Sequence, residues 1–128
     1  MRYPPTVYVL SKKYGVDADT TLITYMTVFN DTDILPTPEG YRVFFASRDY
    51  KIYRIDDKVF KKRSEAEKRR REVAVKLTEE ILKSGLREAS SPIDVYEFIL
   101  EQGVEGFKIA DGIDDHPLVK LIFDVKDI

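Results

Sequence analysis

Residues 58–85, KVFKKRSEAEKRRREVAVKLTEEILKSG, constrain the fold more than any other part of the chain. They read as a short basic strand running into one long helix. Ser64 is a good N-cap, and Glu67, three residues on, can accept a hydrogen bond from the Ser64 N–H, so the spacing predicts a capping box and a helix starting at Glu65. Gly85 suits the left-handed conformation just past a last turn, with Lys83 near the negative end of the dipole, which predicts closure at Ser84. About twenty residues at 1.5 Å each make a rod of roughly 30 Å, the width of a small domain, and a sheet must pack against it. At about 100° per residue Ala66, Val73, Leu77 and Ile81 share one stripe, and Arg70 falls inside it. A cation in an apolar seam must snorkel, pair internally or point into a partner. Snorkelling or internal pairing is the expectation, with a binding role as the alternative.

The chain of 128 residues is expected to form a single domain spanning 1–128 around one core. It contains no cysteine, which excludes a disulfide framework, a thiolate nucleophile and a sulfur-built zinc site. There is no run of about 18 apolar residues, and MRYPPTVYVL lacks the pattern of a cleaved leader, so a soluble, cytoplasmic protein with no membrane partner is expected. Charged residues make up 34%, against a typical value of about 25%. Asn30 is the only asparagine and Gln102 the only glutamine. Few thermolabile amides with abundant Glu, Lys and Arg resemble a thermophile's composition. The net charge of −2 hides an asymmetry: residues 1–57 carry 7 Lys/Arg and 8 Asp/Glu, residues 58–86 carry 10 and 5, and residues 87–128 carry 4 and 10. The basic centre either meets an anionic partner or is neutralised within the fold.

Residues 6–10 (TVYVL), after the rigid Pro4-Pro5 pair, and residues 20–29 (TTLITYMTVF) are rich in β-branched and aromatic side chains and read as the first two strands. The rival reading is a helix-turn-helix over LSKKYGVDADTTLITYM, with Gly15-Val16 at the turn and Thr20-Thr21 opening a recognition helix. Thr20, Thr21 and Thr24 fit a strand better than a helix interior, and no helix is expected before them. Residues 30–40 (NDTDILPTPEG) hold turn formers and two prolines and read as a surface loop. Residues 41–47, 50–55 and 58–61 then form a three-stranded meander. Ser91-Pro92 opens a second helix running to about Gln102, ended by Gly103 and Gly106. Residues 107–110 and 118–125 form the last strands.

The expected fold is therefore α+β: a mostly antiparallel sheet of about six or seven strands with the long helix and a shorter one packed on one face. Its core comprises Val7, Val9, Leu22, Met26, Val43, Phe45, Ile52, Val73, Leu77, Ile81, Ile99, Val119, Leu121 and Phe123. Tyr25, Phe29, Phe44 and Tyr53 fall on the other face, where a second contact surface, including that of a homodimer, is plausible.

The sharpest functional signal is basic: Lys58, Lys61, Lys62, Arg63, Lys68, Arg69, Arg70 and Arg71, preceded by the aromatic and basic run YRVFFASRDYKIYR. Against it, Glu65 lies four residues before Arg69, Glu67 before Arg71, Glu72 before Lys76 and Glu79 before Lys83, all in the favourable orientation. Such pairs leave Lys58, Lys61, Lys62, Arg63 and Arg70 unneutralised. Asp111, Asp114, Asp115 and His116 could gather a metal, but Asp111-Gly112 is first a turn signal and the spacing matches no calcium loop. No catalytic residue, cofactor signature or phosphate-binding glycine pattern is present, and the Glu-x-Lys of EAEK lies inside the capping box rather than on a strand beside an Asp.

Residues 41–78, a meander followed by a helix with the phrase KVFKKRSEAEKRRRE, resemble the arm-type DNA-binding domains of phage integrases, whose sheet face enters a groove. The resemblance covers under a third of the chain and assigns no family. It implies that contacts would come from the solvent face of the meander, through Arg42, Arg54, Lys58 and Lys61. The expected function is a non-catalytic interaction protein, an accessory protein of a thermophile or its virus acting through a protein interface. The alternative is nucleic-acid binding through Arg42, Arg54, Lys58, Lys61, Lys62, Arg63 and Arg70.

Overall fold

The computed structural model describes residues 3–46, 52–84, 98–99 and 101–109. The expected strand at 118–125, the core positions Val119, Leu121 and Phe123, the acidic turn Asp111 to His116, Gly85 and the start of the second helix at Pro92 all lie outside them. Among the described residues the architecture is α+β, with three helices and one antiparallel sheet of four strands in the order β1-β2-β3-β4.

The first two expected strands are helices: α1 is Pro5–Tyr14 and α2 is Ala18–Asn30. Pro5 occupies the first turn, where its missing N–H is no loss, and Lys12 and Lys13 sit in the last. Gly15, at φ 66°, takes the left-handed cap and donates its N–H to Ser11 O. The Asp17 side chain then caps α2 by accepting from the Thr20 N–H at 2.8 Å. The threonines that argued for a strand are accommodated by back-bonding: Thr21 Oγ1 donates to Asp17 O (2.9 Å), Thr24 Oγ1 to Thr20 O (3.0 Å) and Thr27 Oγ1 to Ile23 O (2.8 Å). Each threonine's intrinsic helix penalty is at most about 0.7 kcal/mol. One N-cap contributes about 1 kcal/mol and full burial of a side chain such as Val28 about 1.5–3 kcal/mol, so packing wins. The local shape is thus the helix-turn-helix that the threonine pattern argued against.

The expected loop at 30–40 holds an edge strand, β1 (Thr32–Thr37), paired antiparallel with β2 (Gly40–Ala46) so that Ile34 meets Val43 and Pro36 meets Tyr41. Proline is tolerated on an edge strand because its missing N–H falls on the open side. The hairpin needs Gly40, at φ 144°, because a Cβ there would stand 2.3 Å from the Phe60 carbonyl oxygen. β2 pairs with β3 (Ile52–Asp56), and β3 with β4 (Phe107–Ile109). Residues 58–61 form no strand; Phe60 makes a single bridge to Tyr41, exchanging both backbone hydrogen bonds.

That bridge sets where the long helix begins. α3 is Arg63–Lys83, two residues earlier than expected, with Lys62 as N-cap. Glu65 rather than Glu67 receives the cap hydrogen bond, from the Lys62 N–H at 3.2 Å. Phe98, Ile99, Glu101 and Gln102 are helical, and Gly103, at φ 75°, ends that turn by donating to Ile99 O.

α3 lies across one face of the sheet, where Val73, Leu77 and Ile81 pack with Val28, Ile34, Val43, Phe45, Ile99 and Phe107. Leu10 and Val16 pack separately against Leu82, seating α1 on the C-terminal half of α3. Of the expected core, Val9 is 64% and Met26 44% exposed and Leu22 is only half-buried, because a helix sends every third or fourth residue inward where a strand sends every second. Phe44 is fully buried despite its place on the opposite sheet face, and so is Ile55, its register partner. Both faces of the central strands are therefore covered.

Candidate interaction surfaces

The meander does not offer the solvent face that the integrase-like reading requires. Val43 and Phe45 face α3, so Arg54, opposite Phe45 in the register, shares the α3 side and is engaged within the fold. Arg42 points to the other side beside buried Phe44, and its Nε donates to Asp56 O at 2.9 Å. Both arginines are half-buried and engaged within the fold.

Asp56 is the centre of this region and is fully buried. Its Oδ2 accepts from Arg69 Nε at 2.9 Å and its Oδ1 from the Lys58 N–H at 3.1 Å. The Arg69 guanidinium lies over Phe107, 5.5 Å from the ring centroid. α3, the end of β3 and β4 are thereby tied to one carboxylate.

Arg70, the anomaly of the apolar stripe, is paired internally without any carboxylate. Its Nε donates to Thr32 Oγ1 (2.8 Å), its Nη2 to Phe29 O (3.1 Å), and its charge stands 3.9 Å from the Phe29 ring centroid. The Phe29 carbonyl belongs to the last turn of α2, the negative end of that helix dipole. Burial, then the neighbouring positive charge of Arg63, holds the Arg70 guanidinium below its usual value.

None of the four helical pairs expected from spacing forms. Arg69 goes to Asp56, Lys76 to Glu105, Lys83 to Glu80, and Glu79 receives both Lys13 and the Tyr14 hydroxyl. Arg63, expected to be spare, pairs with Glu67 at 3.4 Å. Lys58, Lys61, Lys62, Lys68 and Arg71 are left exposed with no carboxylate partner among the described residues. Lys68 and Arg71, three apart, share one outer face of α3.

A surface that sequence reasoning missed lies on α1 and α2. Five large apolar side chains are exposed among the described residues, and four of them, Tyr8 (49%), Val9 (64%), Ile23 (46%) and Met26 (44%), are on these two helices. Ile23 and Met26 stand on one stripe of α2, opposite the buried Thr21, Thr24 and Val28. Tyr3 packs edge-on against Tyr8 and donates its hydroxyl to Asp19, tying the two helices together at this surface. The signal was available: an apolar residue on both sides of α2 becomes visible once the segment is read with period 3.6 rather than 2. The shape is that of a helix-turn-helix, but α2 carries no Lys or Arg and presents Asp19, which suits a protein surface better than a phosphate backbone.

Among the described residues no group of three or more His, Asp or Glu side chains could hold a metal, and no helix is long and apolar enough to cross a membrane. The chain matches no known family model, no curated protein and no solved structure.

Proposed function

We propose that this is a non-catalytic interaction protein whose working surface is the outer face of α1 and α2. The observation that carries the proposal is the concentration of exposed Tyr8, Val9, Ile23 and Met26 on two helices whose inner faces are already committed to the core. Apolar side chains exposed together on a packed scaffold are what a partner protein, or a second copy in a homodimer, covers. The test is sedimentation of the purified chain and affinity capture from lysate, beside a Val9→Glu/Ile23→Glu variant with unchanged circular dichroism. Self-assembly or a co-purifying protein that disappears in the variant is expected. A monomer that captures nothing overturns the reading.

Nucleic-acid binding is supported by a different observation, the five unpartnered cations Lys58, Lys61, Lys62, Lys68 and Arg71. This reading predicts affinity for labelled DNA or RNA that falls steeply between about 50 and 200 mM salt and is lost in Lys61→Glu/Lys62→Glu. Absent or salt-independent binding removes it.

A further inference from the structure

A cleft of about 690 Å³ opens between α3 and Phe98 with residues 102–106, on a different side of α3 from the helical pair. Its size falls within the range of small-molecule sites, roughly 300–1,000 Å³. Val73, Leu77, Phe98 and Val104 supply an apolar lining, and charged groups of both signs surround it.

The charges are not equally committed. Glu105 is held by Lys76 at 2.8 Å and Glu80 by Lys83 at 3.6 Å. Arg69 gives only its Nε to Asp56, so the donors on its two terminal nitrogens have no acceptor among the described residues. One of them, Nη2, lies against Gly106, where a Cβ would approach it to 3.1 Å, so that glycine leaves space for the guanidinium in the cleft wall. The Lys58 backbone N–H is fixed to the same buried Asp56, and Lys58, also lining the cleft, has no carboxylate partner for its ammonium among the described residues. Two cationic side chains with donors to spare among the described residues therefore line one apolar cleft. Glu72 is the one carboxylate of the lining that no cation holds among the described residues.

We propose that this cleft binds a small apolar monocarboxylate, its carboxylate taken by the Arg69 terminal nitrogens and the Lys58 ammonium and its hydrocarbon laid over Val73, Leu77, Phe98 and Val104. An ionised acceptor meeting a preset guanidinium makes the stronger class of hydrogen bond, and the apolar body accounts for the rest of the volume. Arg69 is unsuited to mutation because the fold depends on its pair with Asp56, so the test uses exposed Lys58 and Glu72.

The experiment is an amide-resolved NMR titration of the full chain with octanoate, and in parallel with octanol, to about 10 mM, which reaches the weak end of the affinity scale. Saturable shifts at Gly103, Gly106 and Val104 are expected with octanoate and much weaker ones with octanol. Lys58→Gln is expected to weaken octanoate about tenfold, the loss of one charge-assisted hydrogen bond, and Glu72→Gln to strengthen it several-fold by removing a like charge. No saturable shift at these amides, an equal response to octanol, or an affinity indifferent to Lys58→Gln would each overturn the proposal.

Discussion

Arg69 and Arg70 are adjacent on α3, yet they are satisfied in opposite ways. Arg69 turns to the sheet and meets a buried carboxylate, Asp56, at 2.9 Å. Arg70 turns to the end of α2 and finds only neutral oxygens and an aromatic face. In the first environment two charges depend on each other, so losing one leaves the other, largely buried, without its partner. In the second, one charge leans on aligned carbonyls and a ring, and its removal leaves only neutral groups short of a donor. Two neighbouring arginines should therefore differ in how much stability each carries.

The largest expected effect is that of Asp56→Ala, which strands the largely buried Arg69 guanidinium. A loss of about 3–5 kcal/mol, read by urea unfolding, is expected. Asp56→Ala combined with Arg69→Met should recover much of that loss, because two apolar groups no longer need each other. If the double variant is as unstable as the single one, the pair is not what makes this region sensitive.

Arg70→Met keeps the stem against Phe29 and removes the charge. The same unfolding measurement should show a loss of about 1–2 kcal/mol, from the hydrogen bonds to Thr32 and Phe29. A loss as large as that of Asp56→Ala would collapse the contrast between the two sites.

Acid should loosen the α1–α2 junction. Hydrogen bonds from the Thr20 N–H and hydroxyl hold the Asp17 carboxyl below its ordinary value. A carboxylate whose folded value is depressed stabilises the fold above its unfolded value, near pH 4, and loses that contribution as pH falls through the folded value. Amide exchange in the first turn of α2 should therefore quicken as pH drops below about 4, once the intrinsic rate is corrected for, and should be insensitive to pH in Asp17→Asn.

The smallest effect is expected from Glu105→Gln. The Lys76–Glu105 pair is wholly exposed, with the Lys76 ammonium raised and the Glu105 carboxyl lowered mainly by their mutual hydrogen bond. No measurable change in the unfolding midpoint is expected, because solvent screens such a pair. A clear drop would show that the pair braces the cleft.

What could be read without coordinates depended on periodicity being unambiguous. The α3 stripe of Ala66, Val73, Leu77 and Ile81 extends over four turns, and all four are buried. The strands read at 41–47 and 50–55 were equally legible: among the described residues β2 and β3 lie there, with Val43, Phe44, Phe45 and Ile55 buried. At 20–29 the same residue types lie in a helix, because Asp17 caps it and the threonine hydroxyls return to carbonyls four residues back. Pro5, Lys12-Lys13, Gly15 and Asp17 are helix-end signals, and together they outweigh the strand preference of the threonines. The exposed apolar surface of these helices was hidden by that preference, since Met26, a core position on a strand, is exposed on the helix.

The amino-acid sequence by itself determined that a long charged helix must pack against an antiparallel sheet, that no cysteine chemistry operates, and that Arg70 had to find an unusual environment. Tertiary structure alone decided the partners of Arg69, Arg70 and Lys76. Spacing along α3 offers each cation a glutamate one turn away, but an exposed pair of that kind is worth only a few tenths of a kcal/mol, so any better-placed carboxylate outcompetes it. Asp56, buried at the end of β3, is such a carboxylate for Arg69. Long-range contacts of this kind depend on which elements the core brings together, and local sequence does not encode that.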